Sequence, residues 1–229
     1  MDYYSLDVIL MIIIIVLPLY ANMRINSTYS KYSKKQNSGK LTGKEVAEKI
    51  LEMNGLSNVK VGRINGSLTD HYDPRNKTIS LSDGIYNSNS ISACAVAAHE
   101  VGHAIQDKEH YSMLVFRSKL VPVVNFTSRL SSILVFSGFI FDLFNFITIG
   151  AILLTVGLFF QLITLPVEFD ASSRALSILN DRYLVQDEYF GAKKMLTAAA
   201  LTYVAGMLST LLSLLRIVLV VLGNDRGRD

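Results

Sequence analysis

Leu130-Ser-Ser-Ile-Leu-Val-Phe-Ser-Gly-Phe-Ile140-Phe-Asp-Leu-Phe-Asn145 opens an apolar block that runs on to Val167. The block is nearly twice the roughly 20 residues that cross a bilayer as a helix. Asp142 and Asn145 lie close to its middle, so it predicts two crossings joined by a turn there, a hairpin over 121–167. Working outward, two further apolar blocks appear, Leu6 to Ala21 and Ala198 to Leu222, making about four membrane helices. A 50% hydrophobic content and a mean hydropathy of +0.34 agree with a membrane chain.

The first block is short, with Asp7 near its start and Pro18 near its end. A cleaved signal peptide needs a basic leader. Here Asp2 and Asp7 come first, no Lys or Arg precedes Arg24, and no small-x-small site follows. Residues 1–21 are therefore expected to be an uncleaved anchor. Orientation follows from the basic residues. Arg24, Lys31, Lys34, Lys35 and Lys40 follow the first block, the turn near Asp142 has none, and Arg174, Arg182, Lys193 and Lys194 follow the third crossing. Positive charge favours the cytoplasmic side, so 41–120 and 168–197 are expected there. Residues 22–40 read as a basic juxtamembrane linker against anionic lipid. Arg216 interrupts the span expected over 198–222, near its outer end, where it could snorkel. The net charge of +3 is explained by this topology, and no aromatic-studded basic patch points to nucleic acid. Residues 223–229 are left as a tail.

Between the first two spans the pattern changes. Thr42 and Glu45 stand in capping-box spacing before Val46, Ala47, Ile50 and Leu51, with Gly55 as a stop, which predicts an amphipathic helix. From Val59 to Ser82 alternation and the turn signals Asn65-Gly66 and Asp73-Pro-Arg-Asn76 predict a small sheet. Thr78–Ser82 is the candidate to align a peptide substrate by adding it to a free sheet edge. The Ala-rich run Ser90 to Gln106, with a Ser start and no Pro, predicts a helix.

That helix carries His99-Glu100-Val101-Gly102-His103. The two His stand one turn apart on one face, where both imidazoles can bind one Zn²⁺. Glu100 is left free of the metal to act as general base on a water that the metal activates. Ala, Val, Gly and Ile flank the pair, which fits poorly with a solvated face. A catalytic zinc needs a third protein ligand. His110 follows the charged Asp107-Lys-Glu and reads as surface; His71 reads first as a turn residue. Glu168 directly follows the third crossing, and two crossings after His103 return the chain to the same side, so Glu168 is the preferred candidate. Asp170 and Arg174, four apart, either orient a ligating His or pair with each other. The lone Cys94 excludes an internal disulfide and reads as a packed small hydrophobe.

Ala98-His-Glu-Val-Gly-His-Ala-Ile-Gln106, His71-Tyr-Asp-Pro74, Glu168-Phe-Asp-Ala-Ser172 and Ala198-Ala-Ala-Leu-Thr-Tyr-Val-Ala205 together resemble the membrane zinc metallopeptidases of the YugP-like family. That family in turn resembles the HtpX and CAAX prenyl protease gluzincins, in which a Glu on a later helix completes the zinc site. The resemblance implies peptidase activity. In those relatives an Asp often follows that Glu by four residues, whereas this chain has Ser172 there and Asp170 two residues on. The expected molecule is an α-helical integral membrane protein with a small α+β zincin-like catalytic domain. It is expected to be a multi-pass cell-membrane zinc endopeptidase facing the cytoplasm, with His99, His103 and Glu168 as ligands, Glu100 as base, and a peptide or membrane protein as substrate. Arg174, His71 and Tyr203 are the polar candidates to stabilise the oxyanion. Two rivals stand beside this reading: a site-2-type intramembrane protease, and a non-enzymatic membrane scaffold.

Overall fold

The computed structural model describes residues 3–225, with side chains from Ser5 to Val221. The last four residues of the tail read over 223–229 lie outside the described residues. The first helix, α1 (Tyr3–Tyr32), does not stop where its apolar block stops. Neither Gly nor Pro occurs between Leu19 and Tyr32, and Ile25, Tyr29 and Tyr32 fall on one face, with Ile25 and Tyr32 buried in the core. The first eleven residues of the segment expected as a linker over 22–40 are thus helical and packed. The remainder closes through Asn37, whose Nδ2 donates to the Leu41 carbonyl at 2.8 Å while its Oδ1 accepts from the Leu41 N–H at 3.0 Å.

Helix α2 (Gly43–Met53) begins at the expected capping box. The Glu45 N–H donates to Thr42 Oγ1 at 3.2 Å and the Thr42 N–H donates to Glu45 Oε2 at 2.8 Å. It ends where Gly55 takes a φ of +63°. Three strands follow, β1 (Lys60–Ile64), β2 (His71–Asp73) and β3 (Thr78–Ser82), in the spatial order β1-β3-β2. β3 pairs parallel with β1 and antiparallel with β2. The expectation that Thr78–Ser82 offers a free edge is therefore corrected. Both its edges are occupied, and Ile79 and Leu81 are fully buried, as a central strand requires. The edges belong to β1 and β2. β2 is pinned to the next long helix by Tyr72, whose hydroxyl donates to Asp107 Oδ2 at 2.6 Å, and Lys77 closes on the same carboxylate.

After the single turn α3 (Asp83–Tyr86) comes α4 (Ile91–Lys108), capped by Ser90 Oγ, which accepts from the Ala93 N–H at 3.2 Å. Its Ala-rich surface lets neighbours approach closely on several sides. It forms the centre of the core, against Ile50, Ile79, Ile85 and Leu179 among others.

Three long helices complete the chain: α5 (Ser112–Ile140), α6 (Phe144–Arg182) and α7 (Gln186–Asp225). The turn falls at residues 141–143, with Asp142 at a φ of 56°, inside the expected stretch. α5 starts at Ser112, ahead of the expected 121. Together with α1 these are four helices long and apolar enough to cross a membrane. Their most apolar windows are only 11–17% buried, and Phe126, Ile133 and Phe136 are each at least 65% exposed, a surface suited to lipid and not to water. The chain is a multi-pass membrane protein.

The chain divides into two compact units. One comprises the membrane segments, through Asn22, Phe116–Leu165 and from Thr202 on; the other comprises Met23–Val115 and Pro166–Leu201. In the membrane unit Ser131 Oγ donates to the Gly150 carbonyl at 2.7 Å, joining α5 to α6. Arg216 does not snorkel alone. Its Nε donates to Asp7 Oδ1 at 2.6 Å and its Nη2 to Asp7 Oδ2 at 3.2 Å, so the two charges of α1 and α7 satisfy each other. Asp7→Ala is expected to strand Arg216 and destabilise the protein by roughly 1–2 kcal/mol. Thermal unfolding in detergent checks it: Asp7→Ala with Arg216→Leu should recover most of the loss, and equal losses for the single and double variants would refute the pairing.

Candidate metal centre

α4 places the His99 and His103 rings with centroids 4.8 Å apart and planes at 81°. Across from them α6 delivers Glu168, whose Oε2 lies 3.2 Å from His99 Nε2 and 3.6 Å from His103 Nε2. One ligand atom from each of the three residues falls within 4.8 Å of the others. A tetrahedral zinc ion with bonds of about 2.0–2.1 Å spaces its donors roughly 3.3 Å apart, close to the 3.2 and 3.6 Å that separate Glu168 from the two histidines. Two imidazoles and one carboxylate also match zinc chemically. The group fits.

The approach of the two helices depends on Gly102. A Cβ there would lie 2.7 Å from the Ala171 carbonyl oxygen and 3.1 Å from its Cα. The glycine between the two histidines is thus what lets α6 come close enough for Glu168 to reach them.

Hydrogen bonding fixes which nitrogen of His103 faces the centre. Gln106 is fully buried, and its Nε2 donates to the Val167 carbonyl and to Asp170 Oδ2, both at 2.8 Å. With both amide protons so used, the group 3.0 Å from His103 Nδ1 is the amide oxygen, which can only accept. His103 Nδ1 therefore carries a proton, and Nε2 is the atom that faces Glu168 and would bind a metal. Asp170 is held in turn by Arg174 Nε at 2.6 Å, and Arg174 Nη1 reaches Glu109 Oε2 at 2.7 Å. Of the two expectations for Asp170 and Arg174, the ion pair is found; neither residue orients a histidine directly, and Asp170 reaches His103 only through Gln106. At His99 the partner is Ser172, with its Oγ 3.1 Å from Nδ1. Ser172, four residues after Glu168, thus supports His99 with a neutral hydroxyl. Gln106→Leu is expected to weaken zinc binding about 10- to 100-fold, as losses of such supporting groups do. Competition against a chelating dye measures it, and an unchanged affinity would dismiss the role.

Glu100 is outside the His99, His103 and Glu168 group and is buried, 7% exposed. Burial pushes its carboxyl up, His99 and His103 pull it back, and Glu168 and Asp70 add to the push. Burial alone would push the His103 imidazole down, but the hydrogen bond and charge of Glu168, helped by Glu100, leave it raised.

His71 and His110 fall outside the cluster. His71 is exposed, with Nδ1 2.9 Å from the Thr69 carbonyl oxygen, and His110 is exposed at a φ of 52°. Arg174 is engaged by Asp170 and Glu109, and Tyr203 belongs to the membrane unit. Cys94 is 1% exposed, and burial with the charge of Glu188 pushes its thiol up to about 12, as befits a packing residue. The reading from sequence missed Gln106 as a support, although its spacing of three from His103 was the available signal.

His99, His103 and Glu168 thus form a largely buried His-His-Glu cluster able to hold a metal ion, with Glu100 on α4 outside it, in a chain with four helices apolar enough to cross a membrane. The sequence profile described as "Putative neutral zinc metallopeptidase" matches residues 7–222, and the chain belongs to that family. It is also 47% identical over 214 residues, 93% of this chain and 94% of the relative, to the "Putative membrane protease YugP" of Bacillus subtilis (strain 168). No solved structure matches the chain.

Proposed function

We propose that this protein is a gluzincin-type endopeptidase that cuts peptide or membrane-protein substrates at the cytoplasmic face of the membrane. The observation that carries the reading is the convergence of His99, His103 and Glu168, with Glu100 buried on the same helix outside the ligand set. Zinc held by the three residues would supply Lewis acidity, lowering the pKa of a water and polarising the scissile carbonyl. Glu100 takes the proton of the attacking water and delivers it to the departing amine, a role that its raised affinity for a proton favours. Gln106 and Ser172 keep the two imidazoles oriented while the substrate exchanges. The free edge of β2, anchored to α4 through Tyr72 and Asp107, is the place where an extended peptide can add to the sheet.

The assignment of 41–120 with 168–197 to the catalytic part and of 1–21, 121–167 and 198–222 to the membrane rests on the apolar blocks and their flanking charges. The lysine and arginine distribution supports the cytoplasmic orientation. The test uses the full chain in detergent: one zinc per protein, hydrolysis of a peptide mixture, loss on chelation and return on adding zinc. A metal-free protein that binds no added zinc overturns the reading. Reporter fusions at residues 104 and 168 should report the same, cytoplasmic side.

A further inference from the structure

Within the unit that holds the candidate metal centre, residues of α6 and α7 line a groove of about 470 Å³. That volume lies in the range of roughly 300–1,000 Å³ usual for ligand pockets. The groove runs along α6 from Phe169 to Ser177, eight helical steps that rise about 12 Å, enough for three to four residues of extended peptide. It adjoins the metal centre through His99, on the Nδ1 side of that ring. Phe169 follows the ligand Glu168, and Ser172, which lines the groove, has its Oγ 3.1 Å from His99 Nδ1.

The walls have a definite chemistry. Phe169, Leu176 and Leu196 supply apolar surface, while Ser172 and Thr197 offer hydroxyls. Lys193 is the one charged side chain among the lining residues, and it is exposed. No carboxylate lines the groove to balance a cationic side chain, whereas an anionic one meets the lysine.

We propose that this groove holds the stretch of substrate flanking the scissile bond and selects an apolar residue close to an acidic one. The proposal rests on the peptidase reading and deepens it by naming the substrate class. The apolar side chain sits between Phe169, Leu176 and Leu196, and the acidic group pairs with Lys193.

The test is cleavage-site profiling by mass spectrometry on a proteome-derived peptide mixture, with full-length wild type, Lys193→Glu, Thr197→Phe and Glu100→Gln. Wild type is expected to favour Asp or Glu at one fixed position from the cut, by about fivefold as a partly exposed charge pair allows. Lys193→Glu should replace that preference by one for Lys or Arg at the same position, with its zinc content unchanged. Thr197→Phe, which fills the groove from an exposed position, should lower kcat/KM for all peptides with zinc retained. Identical profiles in wild type and Lys193→Glu, both active, overturn the groove and leave the peptidase reading standing. Wild type that cuts nothing beyond what Glu100→Gln cuts overturns both.

Discussion

Glu100→Gln is expected to bind zinc in the wild-type amount while losing peptide hydrolysis by about 10²- to 10⁴-fold, the range that a positioned general base contributes. The metal should stay because the atoms grouped to hold it come from His99, His103 and Glu168, and none comes from residue 100. The fold should stay because the amide has the same shape and carries no charge. Burial disfavours the carboxylate here, so removing the charge relieves the site and does not strain it. What the amide cannot do is accept a proton from water. Metal analysis and a quenched peptide assay on the same preparation separate the two effects. A variant as active as wild type would remove Glu100 from the chemistry, and zinc lost together with activity would make it a ligand. The measurement also separates an enzyme from a scaffold with an incidental motif, since only an enzyme has activity for this substitution to remove.

The parts of this molecule legible in its sequence are those set by short-range physics. The capping box at Thr42 and Glu45, the Ser90 cap and the Ala-rich run to Gln106 specify α2 and α4 within a few residues. Apolar length specifies four spans, and counting crossings brought Glu168 to the side of His99 and His103, where the structure places it 3.2 Å from one of them. Long-range choices were not legible. Thr78–Ser82 becomes central only because β1, earlier in the chain, pairs parallel beside it, and no local pattern announces a partner at that separation. α1 runs past Ala21 because Ile25 and Tyr32 find a core that residues far along the chain complete. Arg216 looked like a defect in its span until Asp7, 209 residues away, supplied the countercharge. The support of His103 through Gln106, Asp170 and Arg174 likewise joins residues about sixty positions apart. In each case the local signal was present and its partner was remote.

Gly102→Val should show how closely the centre depends on helix spacing. The residue has no side chain to ligate a metal, and valine is a better helix former than glycine. Yet a Cβ at this position would meet the Ala171 carbonyl oxygen at 2.7 Å and its backbone carbon at 3.2 Å, and backbone cannot swing aside as a side-chain tip can. α6 must move outward, carrying Glu168 away from Nε2 atoms now 3.2 and 3.6 Å from it. A displacement of about 1 Å in a catalytic constellation costs on the order of 10²-fold in rate, and overpacking typically costs 1–3 kcal/mol in stability. The expected result is a protein that still folds into detergent with native helix content, binds zinc more weakly than wild type, and hydrolyses peptide at most a hundredth as fast. Gly102→Ala should fall between the two. Circular dichroism, dye-competition titration and the peptide assay read the three quantities on one sample. Full zinc affinity with full activity in Gly102→Val would mean that Glu168 can reach the histidines from a more distant α6, and that the tight packing at Ala171 serves stability alone. Weak zinc binding with native helix content would instead tie the glycine to the metal, explaining in packing terms why a residue without a side chain stands between two ligands.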